Sequence, residues 1–130
     1  MPFRHDPPLI GIVGACASGK SSLIAELTRL GYNCRHIAQE HSYVPDMWQR
    51  LTNPDILVFL EVSYEITLKR KNLNWSPHEF QVQLDRLQHA RQNADIMINT
   101  DELSVNDLVI QVTHSVDQLM GIEVKHSQNN

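Results

Sequence analysis

The residues of this chain best equipped for chemistry stand between positions 14 and 21. Gly14-Ala15-Cys16-Ala17-Ser18-Gly19-Lys20-Ser21 fits G-x-x-x-x-G-K-[ST], a spacing suited to holding phosphate. Glycine lets backbone approach anionic oxygens without an intervening Cβ, and it supplies positive φ where a turn demands it. Successive N–H groups then converge on one anion, with Ser22 next in line. Lys20 would reach the outer phosphates, and the Ser21 hydroxyl would help hold a Mg²⁺ that otherwise keeps water and phosphate oxygens. A chain of this length contains the pattern by accident on the order of a few times in a thousand. The alternative is a Gly/Ser turn that binds nothing, but it leaves the Lys-Ser pair at this offset unexplained.

The flanks supply the elements that such a loop needs. Before it, the β-branched run 9–13 follows Pro7-Pro8 and reads as a buried strand. After it, Leu23, Ile24, Leu27 and Leu30 recur at helical spacing until Gly31 stops the helix. Strand, glycine-rich turn and helix in that order aim the positive end of a helix dipole at the bound anion. Residues 34–38 form a second, weaker strand, followed by the polar turn Gln39-Glu40-His41-Ser42. At the carboxyl end of a parallel sheet this turn would face the phosphates, so Glu40 is the best placed acid to orient a metal or accept a proton. A solvated loop carboxylate is the competing reading of Glu40.

Val44, Met47, Trp48 and Leu51 fall at i, i+3, i+4 and i+7, and Pro45 suits a first turn, so a short helix with an apolar core stripe is expected. Trp48 is assigned to that core, with the lining of a substrate cleft as the alternative. Arg35 and Arg50 read as surface residues. After the turn Asn53-Pro54-Asp55, five successive apolar residues and Glu61 make 56–61 the strongest strand, of the kind covered on both faces. Ser63 caps a helix through Arg70 and Lys71, and 72–75 is a loop. Ser76, Pro77 and Glu79 make a capping box opening a helix to about Asn93, with Phe80, Leu84 and Leu87 inward and many of its Gln and Arg residues outward. Residues 95–99 form a last strand leading into Thr100-Asp101-Glu102. Ser104 then caps a helix with the stripe Val105, Leu108, Val109, Val112, Val116 and Leu119, ended by Gly121.

Composition sets the bounds. The 130 residues are 42% hydrophobic and 20% charged, an ordinary globular balance that suits one domain over 1–124 and a polar, frayed tail over 125–130. There is no membrane-length apolar run and no signal-peptide pattern at the start, so a cytoplasmic protein is expected. The net charge of −4 disfavours nucleic acid and anionic membrane as partners. Cys16 and Cys34 are read as free thiols, because a bridge at Cys16 would distort the loop. Cys16 is either small filler or, near a helix N-terminus, a partly ionised thiol. The seven histidines show no ligand spacing such as H-E-x-x-H, so no structural zinc is expected.

Taken together, these features resemble the P-loop kinases of nucleotides and small metabolites, among them adenylate, shikimate, gluconate and adenylylsulfate kinases. The resemblance rests on 14–21, on Pro54-Asp55-Ile56-Leu57-Val58-Phe59-Leu60-Glu61-Val62-Ser63 as the strand leading to the lid, and on 94–101 as the final strand. It implies the P-loop NTPase fold, a three-layer α/β/α sandwich around a short, about four-stranded, mainly parallel sheet. It also implies that Glu61 lies on the lid side, which keeps Glu40 first as the metal-orienting acid. By the same resemblance Arg70 occupies the place of a lid arginine, assisted by Lys71, and Thr100-Asp101 borders the purine. Arg86 and Arg91 follow the lid. Departures from the family are plain: between Lys20 and Ile56 there is room for one strand and a short helix where the family fits two strands and an acceptor-binding segment, and the lid is a few residues long.

The resulting expectation is a protein that binds ATP or another purine nucleotide with Mg²⁺ and transfers a phosphoryl group to an unidentified small acceptor. Lys20, Glu40 and Arg70 would be its active residues, and Gly14 through Ser22 with Thr100 would line its nucleotide site. A non-catalytic nucleotide- or phosphate-binding module is the alternative, as is a loop that holds inorganic anion alone. Completion of the shortened site by a second subunit, as a homodimer, is a further expectation.

Overall fold

Four strands run parallel in the order β2-β1-β3-β4 in the computed structural model, which describes residues 3–71 and 74–121. Asn72 and Leu73 of the expected loop, the side chain of Lys71 and the expected tail 125–130 lie outside the described residues. The strands are β1 (Leu9–Gly14), β2 (Asn33–His36), β3 (Ile56–Glu61) and β4 (Ile96–Asn99). The helices are α1 (Lys20–Arg29), α2 (Tyr64–Lys71), α3 (Pro77–Asn93) and α4 (Val105–Met120).

The central strands β1 and β3 are nearly unbroken apolar runs, and alternation sends their side chains to opposite faces. Ile10, Ile12, Ile56, Val58 and Leu60 pack with Leu23 and Leu27 of α1 and Val112 and Val116 of α4. Val13, Leu57 and Phe59 pack on the other face with Leu87 and Ala90 of α3. The chain is thus α/β, with a four-stranded, wholly parallel sheet between helices. From β1 it crosses through α1 to β2 on one side, and from β3 through α2 and α3 to β4 on the other. Connections diverge after β1 and β3, which opens a crevice at their carboxyl ends. Among the described residues no helix is long and apolar enough to cross a membrane.

Local signals placed most boundaries. Both bonds of the Ser76–Glu79 capping box form, and Gly31 and Gly121 adopt positive φ just past α1 and at the end of α4. The structure corrects the reading of residues 44–52. They form turns and a single five-residue π turn (Trp48–Thr52), in which Trp48 is buried but Leu51 is 78% exposed. The apolar spacing has no second surface to pack on. Trp48 is buried, its Nε1 donating to His89 Nδ1 of α3 at 3.0 Å, and it also borders a hollow with Met47. The α4 stripe is corrected at its ends, where Val105 and Leu119 are exposed. At 16 residues, about 24 Å long, α4 overhangs a four-residue edge strand.

Asp55 fastens the amino edge of this sheet. Its carboxylate accepts from the amides of Arg4 (2.6 Å), His5 (3.2 Å) and Leu9 (2.8 Å) and bonds His5 Nδ1 at 2.8 Å. Burial opposes its charge, but the donors from Leu9, Arg4 and His5 outweigh burial and hold its carboxyl below the usual range. A depressed folded pKa stabilises above the unfolded value, about 3.9, and that contribution is lost as pH falls through the folded value. Asp55→Asn is therefore expected to cost about 1–3 kcal/mol in urea unfolding at pH 7, with the deficit shrinking below about pH 4.

Candidate functional site

The glycine-rich loop leaves β1 at Gly14 and enters α1 at Lys20, inside the crevice at the carboxyl ends of the strands. Ala17 (φ 66°) and Gly19 (φ 108°) lie in the left-handed region and curl the loop into a nest of amides. Gly14 answers to packing instead. A Cβ there would sit 2.6 Å from Ser18 Oγ and 2.7 Å from the Leu60 carbonyl oxygen. The first turn of α1 receives no side-chain cap, so the N–H groups that helix geometry leaves without acceptors remain available to an anion. Ser21 and Ser22 stand exposed on that turn.

Lys20 is buried at 7% exposure. Its Nζ donates to the Gly14 carbonyl, to the Ala15 carbonyl at 3.1 Å and to Glu40 Oε2 at 2.8 Å, which occupies all three protons. Glu40, at 2% exposure, is not the solvated carboxylate that its polar turn suggested as the alternative. The tight turn Gln39–His41 is bolted to α3 and to residues 44–48 by Gln39. Its Nε2 donates to the carbonyls of Val44 (2.9 Å) and Arg86 (3.2 Å), and its Oε1 accepts from Trp48 N at 2.8 Å. Arg86 Nη1 adds a bond to the Glu40 carbonyl at 3.3 Å.

Arg70 and Thr100 grip the outside of the loop. Arg70 Nη1 donates to the carbonyls of Ala17 (3.2 Å) and Ser18 (3.3 Å) and to Thr100 Oγ1 (2.9 Å), while Nη2 donates to the Thr100 carbonyl. The Thr100 hydroxyl lies 2.9 Å from the Ser18 carbonyl oxygen. Two buried oxygens, Ser18 Oγ and Glu40 Oε1, have no hydrogen-bond partner among the described residues. Each such atom costs about 1–3 kcal/mol, and both lie at this loop.

The loop borders a cavity of about 550 Å³ together with His36, Glu40, Arg70, Thr100 and Leu108, ligand-sized by comparison with known sites. Burial, then the nearby Lys20 charge, lowers the pKa of His36 below its ordinary value. Glu61 instead pairs with Arg91 at 2.9 Å, and Arg86 lies over the Tyr43 ring at 4.5 Å. Neither Arg86 nor Arg91 borders the cavity. No family model and no curated protein matches the chain. Chemistry and geometry carry the reading.

The residue that sequence reasoning missed is Gln83, on a helix most of whose Gln and Arg residues were expected outward. It is buried, accepting from Cys16 N at 2.9 Å through Oε1 and donating to Cys16 Sγ at 3.1 Å through Nε2. The signal was its position: Phe80, Gln83, Leu87 and Ala90 share one helical stripe. Gln83→Leu keeps the volume but strands the Cys16 amide. Thermal or urea unfolding should show a loss of about 1–3 kcal/mol, against about 0.5 kcal/mol or less for Gln92→Leu on the exposed side.

Proposed function

We propose that this chain is a P-loop protein that binds a purine nucleoside triphosphate with Mg²⁺ and acts as a kinase-like phosphotransferase on a small acceptor. The observation that carries the reading is the seating of Lys20, held by loop carbonyls and Glu40 beside uncapped helix amides at a ligand-sized cavity. Phosphate oxygens accept where Glu40 and the carbonyls now accept, so Lys20 and the amides can take a polyanion with little rearrangement. The donor set suits Mg²⁺, since the Ser21 hydroxyl and the unpartnered oxygen of Glu40 are hard oxygen ligands. Ser21 and Glu40 would hold the cation, whose charge would offset that of the phosphates. Glu40 Oε1 also offers a buried acceptor for a proton-bearing group of the second substrate. Arg70 supplies a guanidinium at the cavity wall that steadies the loop.

The non-catalytic alternative, a nucleotide- or phosphate-binding module, has one observation in its favour. Between β2 and β3 the chain forms a three-residue and a five-residue turn, and only residues 72–76 separate α2 from α3, which leaves little chain to enclose an acceptor.

Calorimetry with ATP, GTP and inorganic phosphate, with and without Mg²⁺, tests the binding half. Lys20→Ala would leave Glu40 buried and unpaired, so the informative variant is Lys20→Met combined with Glu40→Gln. It is expected to remain folded and to lose about 10- to 100-fold in nucleotide affinity, the value of one or two charged hydrogen bonds. Unchanged affinity would refute the site. Tight Mg-nucleotide binding with no ADP release across an acceptor panel would favour the module.

A further inference from the structure

Three donors far apart in the usual sense of metal motifs meet beside the loop. Cys16 Sγ, a carboxylate oxygen of Glu40 and a ring nitrogen of His41 all lie within 4.8 Å of one another. The histidines carry no recognisable ligand spacing, and the fold alone brings positions 16, 40 and 41 together. From these residues we propose a second cation site, for a thiophilic divalent ion such as Zn²⁺, ligated by Cys16, Glu40 and His41 at the rim of the phosphate cradle.

Three independent features support the site. The first is the donor set. Thiolate, imidazole and carboxylate together suit Zn²⁺ and Co²⁺ and are a poor match for Mg²⁺, which prefers oxygen alone. Three protein ligands leave a fourth position open to water or to an anion in the adjoining cradle. The second is Glu40 itself, 2% exposed, with Oε1 unpartnered among the described residues. Lys20 engages Oε2, so one carboxylate can serve the ammonium and the metal through different oxygens. The third is Gln83, whose amide orientation is fixed because Cys16 N can only donate to Oε1, which directs Nε2 at Cys16 Sγ. An N–H donor on sulfur sets the direction of its remaining lone pairs, as outer partners do at metal sites.

Tetrahedral bonds of about 2.0–2.3 Å place ligand atoms roughly 3.3–3.8 Å apart, so the present spread must close by about 1 Å. His41 is exposed and its Nε2 stands 3.8 Å from Glu40 Oε2, the oxygen Lys20 engages, so rotation of that ring must carry it toward Oε1. Binding requires the Cys16 thiol to lose its proton to solvent as the sulfur–metal bond forms, with no change of oxidation state. The consequence is a local dication at the loop, competing for the same carboxylate that steadies Lys20.

The probe is Co²⁺ titrated into the full chain under reducing conditions, read by absorbance. One equivalent is expected to bind with a thiolate-to-cobalt charge-transfer band, and one equivalent of Zn²⁺ should displace it. Cys16→Ser should abolish the band, and His41→Ala, a surface change that leaves the fold undisturbed, should weaken Co²⁺ binding at least about 10-fold. Cys34→Ser should change neither, and Mg²⁺ should compete only weakly, because it shares Glu40 with this site but not the thiolate or the imidazole. A band that survives Cys16→Ser, a band lost with Cys34→Ser, or a cobalt complex without sulfur character would overturn the site. The proposal does not rest on nucleotide binding: cobalt binding without nucleotide binding, or the reverse, separates the two readings.

Discussion

Burying an ammonium group at the start of a helix is the constraint on which this structure depends. Taking Lys20 and Glu40 out of water costs several kcal/mol per ion, and the cost is met only if every proton of Nζ finds an acceptor. The loop supplies two carbonyls and the chain after β2 supplies the carboxylate. For Glu40 to arrive there, β2 must lie directly against β1, parallel and in register, with Ile12 opposite His36 and the Ile37 amide still bonded to the Ile12 carbonyl. The tight turn that follows then carries Glu40 across the mouth of the loop. One ion pair thus requires the strand order on that side of the sheet.

The other side of the loop is fixed from β3, β4 and α2. Thr100, just past β4, bonds the Ser18 carbonyl and receives Arg70 from α2, while its amide donates to the Glu61 carbonyl at the end of β3. On the opposite face α3 reaches in with Gln83 and holds Cys16 by backbone and sulfur. The turn after β2, the end of β4, α2 and α3 therefore each lend a group to eight residues of loop. Sites built this way are held by rigid elements, so their geometry survives ligand exchange.

How much of this could be read from the sequence depends on the range of each interaction. The loop pattern, the bounds of β3 and the Ser76–Glu79 box were legible because their signals lie within a few residues: apolar continuity, a capping pair, glycines at turns. The burial of Glu40 was not legible, since within Gln39-Glu40-His41-Ser42 nothing distinguishes a solvated acid from one paired with a lysine twenty positions earlier. Residues 44–52 misled for the converse reason. Their apolar spacing was helical, but spacing becomes a helix only where a surface stands ready to bury the stripe, and here Trp48 is buried while Leu51 stands exposed. Gln83 lay between these cases, visible as a polar residue on an apolar stripe but without any hint of its partner.

Two buried carboxylates show where the chain keeps its unspent capacity. Asp55, at the amino edge of the sheet, has a side chain 1% exposed and accepts from three backbone amides and a histidine, which binds the N-terminal segment to the sheet. Glu40, at the carboxyl edge, has a side chain 3% exposed and engages Lys20 and, at 3.8 Å, the His41 ring through one oxygen, with its second oxygen unpartnered among the described residues. If stability alone had shaped position 40, an apolar pair with position 20 would serve as well or better. The same group is satisfied at one edge and left half-engaged at the other. Proteins concentrate such departures from local optimality where they bind and react, and here they converge on Lys20, Ser18 and Glu40 around one loop.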